Sequence, residues 1–336
     1  MQPLPQGQGG TDNLVDVVCP LCGSEISRHL YSVRDNAFQV TDATFGVRRC
    51  SRCGCGFLSP RPREDDMQLY YPKAYYWSYE GSGGELSWEE LIAKRRGQLA
   101  AKARWLEDMK PGRLLDIGAM KGEFLWTSRQ AGWDVEGVEL KNSVPNPLSL
   151  PIRYGDFLAM DFDPSGYDCV TMWAVLEHIY APAKFVERVA SLLRPGGRFI
   201  ATVTNFNSVQ GGLFRQDDYP RHLTLFTKKS IRHLCARYGL VVARMETDQT
   251  IFGGALNGGL VFTTKRLFGY TASEAFAEWK QTTDPELFCC SWRGHPSPSM
   301  RTISRADRVI TLPIETLFDR LGLGFNLTFS AARPLP

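Results

Sequence analysis

Two pairs of cysteines carry the most specific chemistry in the chain. CPLC (Cys19, Cys22) and CSRC (Cys50, Cys53) stand twenty-seven residues apart. Each C-x2-C makes a tight turn that aims two thiolates at one point, and two such turns complete a tetrahedral sulfur shell suited to zinc. Four protein ligands leave no open coordination position, so this metal would staple the fold and perform no reaction. Cys55 is a spare ligand, and the competing reading is free or redox-active thiols.

The stretch LLDIGAMKGEF (114–124) suggests a second chemistry. An acidic strand end at Asp116, a turn through Gly118 and Ala119, and Gly122 at the start of a helix form a place where backbone can approach a ligand closely. Glu139, twenty-three residues after Asp116, ends the next strand, where a carboxylate can accept from ribose hydroxyls. A ligand-free turn of a sheet protein has the same look, so the turn alone does not decide. Proton transfer points to histidine. His222 in DYPRHLTLF is the preferred general base, with fixing of its own loop as the alternative. His178 in VLEHI serves either catalysis or capping and packing.

Elements must hold these groups together. From residue 113 onward, apolar runs alternate with helical segments: RLLDIG, DVEGVEL, YDCVTMWAV and RFIATVTN as strands, GEFLWTSRQAG and PAKFVERVASLLRPGG as helices. Such alternation predicts a doubly wound parallel α/β sheet. KKSIRHLCARYGL is a further helix with a solvated basic face, VVARMETD (241–248) the strand after it, and FNLTFSAARP (325–334) a last strand. Ser87–Met109 reads as an amphipathic helix ended by KPG.

The expected organisation is a disordered segment at 1–14, a zinc-binding module at 15–62, and a tyrosine-rich lid segment with a helix at 63–110. A nucleotide-cofactor core at 111–250, a helical insertion covering the site at 251–324 and a final strand with tail at 325–336 follow. With 336 residues, 43% hydrophobic, the chain can bury one large core and a small appendage. A formal net charge of +3 is too weak to mark a nucleic-acid surface. The opening MQPLPQGQGGTDN lacks signal-peptide regions and no apolar run matches a membrane span, so a soluble, cytoplasmic protein is expected.

Taken in order, LLDIGAMKGEFL, GVEL, YGDF (154–157), YDCVTMWAVLEHI (167–179) and LLRPGGRFIATVTN (192–205) resemble the class I S-adenosylmethionine-dependent methyltransferases. Specifically, the chain resembles the branch in which an N-terminal cysteine ribbon precedes GFLSPRP and a tyrosine-rich segment. The resemblance covers roughly residues 17–250 and 325–333. It implies a mainly parallel, seven-stranded Rossmann-like sheet whose last strand is antiparallel. S-adenosylmethionine is the implied cofactor. Gly118, Ala119 and Gly122 would face its methionine part, supported by Asp116, while Glu139 would hold the ribose and Asp156 with Phe157 would flank the adenine. Trp173, Ala174, Glu177 and His178 would line the cofactor and acceptor side. His222 sits in a PRHL-x-x-F pattern found in related enzymes, and Tyr219, Asn205 and Arg221 would orient substrate.

Met120 departs from the family's D-x-G-x-G-x-G turn. S-adenosylmethionine has no pyrophosphate demanding the closest backbone approach, so a side chain is tolerated there if its backbone is not left-handed. Tyr75, Tyr76 and Trp77 would either form an aromatic lid over the sulfonium or pack between ribbon and helix. Cys289 and Cys290 receive no role.

The leading function is methyl transfer to an O, N or C centre of a small biosynthetic metabolite, sugar-, polyketide- or lipid-like. The apolar insertion allows peripheral membrane or lipid contact. RNA base methylation using the ribbon is the second reading, which the near-neutral charge makes the weaker one. A zinc-stapled binding protein without catalysis is the third. The oligomeric state is open.

Overall fold

The computed structural model describes residues 13–35, 38, 40–72, 87–140, 146–213, 215, 217–252 and 298–336, the last stretch in side-chain detail from 309 onward. The N-terminal part contributes β1 (Leu14–Val15), β2 (Ser27–Val33), β3 (Phe45–Cys50), β4 (Gly56–Leu58) and β5 (Arg61–Pro62). Helix α1 (Trp88–Ala103) starts at a capping box in which Ser87 Oγ accepts from the Glu90 amide and the Glu90 carboxylate accepts from the Ser87 amide. That pair satisfies two otherwise orphaned donors. The helix ends at Ala103, and turns carry the chain through Asp108, short of the predicted Met109.

The core then runs β6 (Arg113–Ile117), α2 (Glu123–Gln130), β7 (Asp134–Glu139), β8 (Ile152–Tyr154), β9 (Tyr167–Trp173), α3 (Pro182–Leu192) and β10 (Leu193–Thr204). It continues through β11 (Thr224–Leu225), α4 (Lys228–Arg237), β12 (Val241–Thr247), α5 (Pro298–Arg320) and β13 (Asn326–Ala332). Seven strands form one sheet in the order β12-β13-β10-β9-β6-β7-β8. Its β10, β9, β6, β7 and β8 are mutually parallel, while β13 runs antiparallel to both β10 and β12. The predicted architecture is therefore the observed one. Near-continuous burial of β6 and β9 fits strands covered on both faces.

Two elements differ from the sequence reading. The seventh strand is the three-residue β8, too short to show a period. The RPGG stretch, read as a helix end, belongs to β10, whose pairing with β9 shifts register between Leu193 and Arg198. Pro195 cannot extend the helix, and Gly196 takes a φ of +81°, so the chain bulges and resumes pairing.

The cysteine-bearing block does not close on itself. Strands β2, β3 and β4 pair antiparallel, and the fourth strand of that sheet is β11, contributed by residues after the fifth core strand. Cys19, Cys50 and Cys53 share one buried cluster with Ile231, Leu234 and Cys235 of α4. Arg221, wholly buried, ties the two parts together. Its guanidinium donates to Asp35 at 2.9 and 3.3 Å, to Asp218 at 2.7 Å, and to the carbonyls of Tyr70 and Tyr219.

Of the expected insertion, α5 is the described element, and SEAFAEWKQ lies outside the described residues. In its described part α5 buries Thr311 and Glu315 and exposes Val309, Leu312 and Leu317, and Leu321 just after it is exposed too. Among the described residues no helix is long and apolar enough to cross a membrane.

Candidate active site and metal centre

The turn after β6 is built by glycines and by hydrogen bonds to the neighbouring strand. Gly118 (φ +80°) and Ala119 both donate to the Val138 carbonyl, at 2.8 and 3.0 Å. A Cβ on Gly118 would strike Val175 Cγ2, so the turn is pressed against the segment that follows β9. Gly122 (φ +87°) caps α2, and a Cβ there would come within 2.5 Å of Leu150. The backbone is thus bare where a ligand would approach the carboxyl edge of the sheet.

Met120 has a φ of +51°, inside the left-handed region. The condition set for tolerating a side chain here is not met, and the residue carries a strain of roughly 1–2 kcal/mol that glycine would not. Its amide donates to Glu139 Oε2 at 3.0 Å, while Glu139 Oε1 accepts from the Leu140 amide at 2.8 Å. The Glu139 carboxylate is therefore held in place by the turn it serves.

Asp116 is buried behind the turn and accepts from Thr171 Oγ1 at 2.6 Å. Burial pushes its carboxyl up to about 7, against the hydrogen bond from Thr171 and the nearby charge of Lys102. Lys102 of α1 has no signal in the sequence beyond membership of a helix, yet its ammonium reaches this region. It lies 5.3 Å from the Trp173 ring centre and 4.9 Å from that of Phe252. Burial pulls it down to about 8, with Asp116 and Glu123 opposing. Trp173 itself is buried edge-on to Phe124 with its indole N–H unpartnered, and Ala174 follows with a φ of +56°.

The YGDF pair divides. Asp156 is exposed and accepts from the Leu158 amide, whereas Phe157 packs between Phe162 and Phe185 as a core residue with 2% exposure. The expectation that Phe157 flanks a ligand is corrected by that packing.

On the far side of Trp173 the chain gathers Glu177, His178 and His222. One ligand-type atom from each lies within 4.8 Å of the others. Glu177 is 1% exposed, neither of its oxygens has a hydrogen-bond partner, and burial pushes its carboxyl up to about 7. His178 Nδ1 meets the Tyr71 hydroxyl at 3.0 Å, and the His178 ring stands edge-on to His222 with centres 4.5 Å apart. Burial and the adjoining His222 charge keep His178 neutral, well below the usual histidine value. His222 Nδ1 pairs with Asp217 Oδ1 at 2.5 Å. Burial opposes a charge on His222, but the carboxylate of Asp217 outweighs it and raises the imidazole to about 9. With no ion beside it, His222 thus favours holding a proton at neutral pH, which argues against the resting general base expected from the sequence.

Three other candidates are structural. Tyr219 is buried, its hydroxyl 3.4 Å from that of Tyr31, and burial raises it so that it stays a protonated phenol. Asn205 donates to the Gly322 and Gly324 carbonyls, and Arg221 is consumed by the tie described above. Tyr75, Tyr76, Trp77, Cys289 and Cys290 lie outside the described residues.

In the cysteine module, the turn after each pair closes on a glycine. Gly23 (φ +70°) and Gly54 (φ +78°) donate back to the carbonyls of Cys19 and Cys50. The Cys19 and Cys53 sulfurs are 3.5 Å apart and those of Cys22 and Cys50 3.6 Å. A tetrahedral shell with Zn–S bonds of ~2.3 Å has edges of roughly 3.8 Å, so this donor set fits a zinc ion with little movement. Cys55 is not part of the set: its thiol donates to the Gly56 carbonyl at 2.9 Å.

Residues 89–244 match the sequence profile of a methyltransferase domain family. A ubiquinone biosynthesis O-methyltransferase of Aeromonas salmonicida is 31% identical over 117 residues, 30% of this chain and 48% of the relative. A tRNA U34 carboxymethyltransferase of Idiomarina loihiensis is 31% identical over 108 residues, 28% of this chain and 33% of the relative. The chain spans about half the length of the first curated relatives it matches. Among solved structures, a Haemonchus contortus phosphoethanolamine N-methyltransferase 2 superposes over 91% of this chain and 71% of its own, with a TM-score of 0.47 and 16% identity. That likeness is too distant to speak to substrate.

Proposed function

We propose, on the match of residues 89–244 to a methyltransferase domain family, that the chain is a class I S-adenosylmethionine-dependent methyltransferase that transfers a methyl group from S-adenosylmethionine to a small biosynthetic metabolite. The observation that carries this reading is the turn at 116–122. Its glycines leave the backbone open, and its own Met120 amide orients Glu139, the group that would accept from the ribose hydroxyls. Asp156 is exposed at the end of the neighbouring strand, available to the adenine.

Methyl transfer from a sulfonium is an in-line displacement, so the protein's task is to align donor and acceptor and to settle the donor's charge. Trp173 and Phe252 already flank one cation, the Lys102 ammonium, and aromatic faces suit a sulfonium for the same reason. The acceptor would enter on the side of Glu177, His178 and His222. An oxygen centre is favoured by the O-methyltransferase relatives, and the exposed apolar residues of α5 favour an apolar acceptor or a lipid surface over a free sugar. The four-cysteine cluster holds a structural zinc in this reading.

The tRNA carboxymethyltransferase relative keeps RNA as the second reading. Its signature would be nucleic-acid binding with a steep salt dependence, which a net charge of +3 does not favour.

Calorimetric titration with S-adenosylmethionine and S-adenosylhomocysteine tests the proposal. Wild type should bind both, and Glu139→Ala should lose at least about tenfold in affinity, as expected for removal of a charged hydrogen-bond acceptor. Absence of binding in the wild type, with binding gained in Met120→Gly, would mean that the turn no longer serves catalysis.

A further inference from the structure

We propose that Glu177, His178 and His222 bind one divalent transition-metal ion, whose remaining coordination positions take an oxygen of the acceptor. The proposal rests on the geometry of this cluster for the site itself, and on the methyltransferase reading only for the ion's use.

The first observation is an orphan. Glu177 is buried, and neither carboxylate oxygen has a hydrogen-bond partner. Buried carboxylates are ordinarily paired, hydrogen-bonded or metal-bound, because an unpartnered one loses its hydration without compensation. Neither oxygen makes a hydrogen bond of good geometry, and the charge that faces the carboxylate is that of His222 in the same cluster.

The second observation is the orientation of the rings around it. His222 gives Nδ1 to Asp217 at 2.5 Å, which leaves Nε2 for the cluster. Asp217 is fixed in turn by Thr204 Oγ1 at 3.1 Å and by the Asp218 amide at 2.9 Å. A carboxylate that orients the far nitrogen of an imidazole is the support by which proteins hold metal-bound histidines. His178 engages the Tyr71 hydroxyl through Nδ1, and its ring brings a ligand-type nitrogen into the cluster. All three ligand-type atoms are within 4.8 Å of one another, and half-buried His178 keeps the cluster in reach of solvent.

Two imidazoles and one carboxylate suit manganese, iron, cobalt or zinc, and three protein ligands leave positions open. The placement also fits. Glu177 and His178 lie in the segment leaving β9, and Val175 of that segment touches the Gly118 turn, so an ion here would stand beside the donor site. An acceptor hydroxyl on the ion would be oriented toward the donor and made more acidic.

The full chain, with zinc retained in the ribbon, is titrated with Mn2+ followed by electron paramagnetic resonance. The expected result is one Mn2+ per chain, with affinity at least about tenfold weaker in Glu177→Gln and in His222→Asn, and about 10- to 100-fold weaker in Asp217→Asn. His222→Cys loaded with Co2+ should show a new thiolate-to-cobalt charge-transfer band, a gain that a misfolded variant would not produce. Near-ultraviolet circular dichroism establishes that each variant is folded. No Mn2+ or Co2+ binding by folded wild type up to millimolar concentration overturns the proposal. So does binding that is unchanged in both Glu177→Gln and His222→Asn. S-adenosylhomocysteine affinity measured on the same wild-type samples separates this failure from failure of the methyltransferase reading.

Discussion

Met120 sits where the turn wants glycine, and the hydrogen bond from its amide to Glu139, which glycine would make equally, fixes the left-handed backbone. Glycine there would relieve the strain yet add unfolded-state entropy of about 0.5–1 kcal/mol, so little net change in stability is expected from Met120→Gly. The effect should appear in cofactor affinity instead. Asp116 gives a pH-dependent prediction. Its folded-state value of about 7 lies above the ordinary 3.8, so the folded protein holds this proton more tightly than the unfolded chain does. The associated stability is fully present below pH ~4 and is lost as pH rises through 7. Asp116→Asn cannot titrate and still accepts from Thr171. Its melting temperature should therefore shift upward relative to wild type between pH 5 and pH 8, as read by differential scanning calorimetry.

At the scale of elements, the Arg221–Asp35 pair joins the cysteine-bearing strands to the loop that bears His222. Both side chains are fully buried, and removing one charge leaves the other uncompensated. Asp35→Asn should cost about 3–5 kcal/mol in urea unfolding. Smaller losses would mean that Asp218 alone satisfies the guanidinium. This tie was invisible in the sequence, where Arg221 looked like a substrate contact, because 186 residues separate it from Asp35. Elements with a strong local pattern were legible: RLLDIG, YDCVTMW and the helix at 182–192 stand where their periodicity put them. The three-residue β8 and the bulge in β10 were not, since neither has enough residues to show a period. The cofactor turn was readable from its glycines. Lys102 was not, because its partners come from other elements, and Asp217 was missed although His222 follows it by only five residues, because that segment carries no periodic pattern.

For the whole molecule, shared packing predicts that ribbon and sheet unfold together. The cysteines share a buried cluster with α4, and β11 pairs with β4. Stripping zinc with a strong chelator should therefore lower the melting temperature of a single calorimetric transition and also weaken S-adenosylhomocysteine binding. Two separate transitions, with ligand affinity intact, would show the module to be an independent appendage. Retention of zinc at one equivalent per chain in atomic absorption, lost in Cys53→Ser, would establish the ion.

The pairing of β11 with β4 also sets a schedule for synthesis. Residues 56–58 leave the ribosome long before residues 224–225, so the ribbon waits with an open edge while the whole intervening chain is translated. An open strand edge invites pairing with other chains. A fragment cut after residue 62 would carry that edge permanently, which makes this ribbon a poor cassette for transplantation.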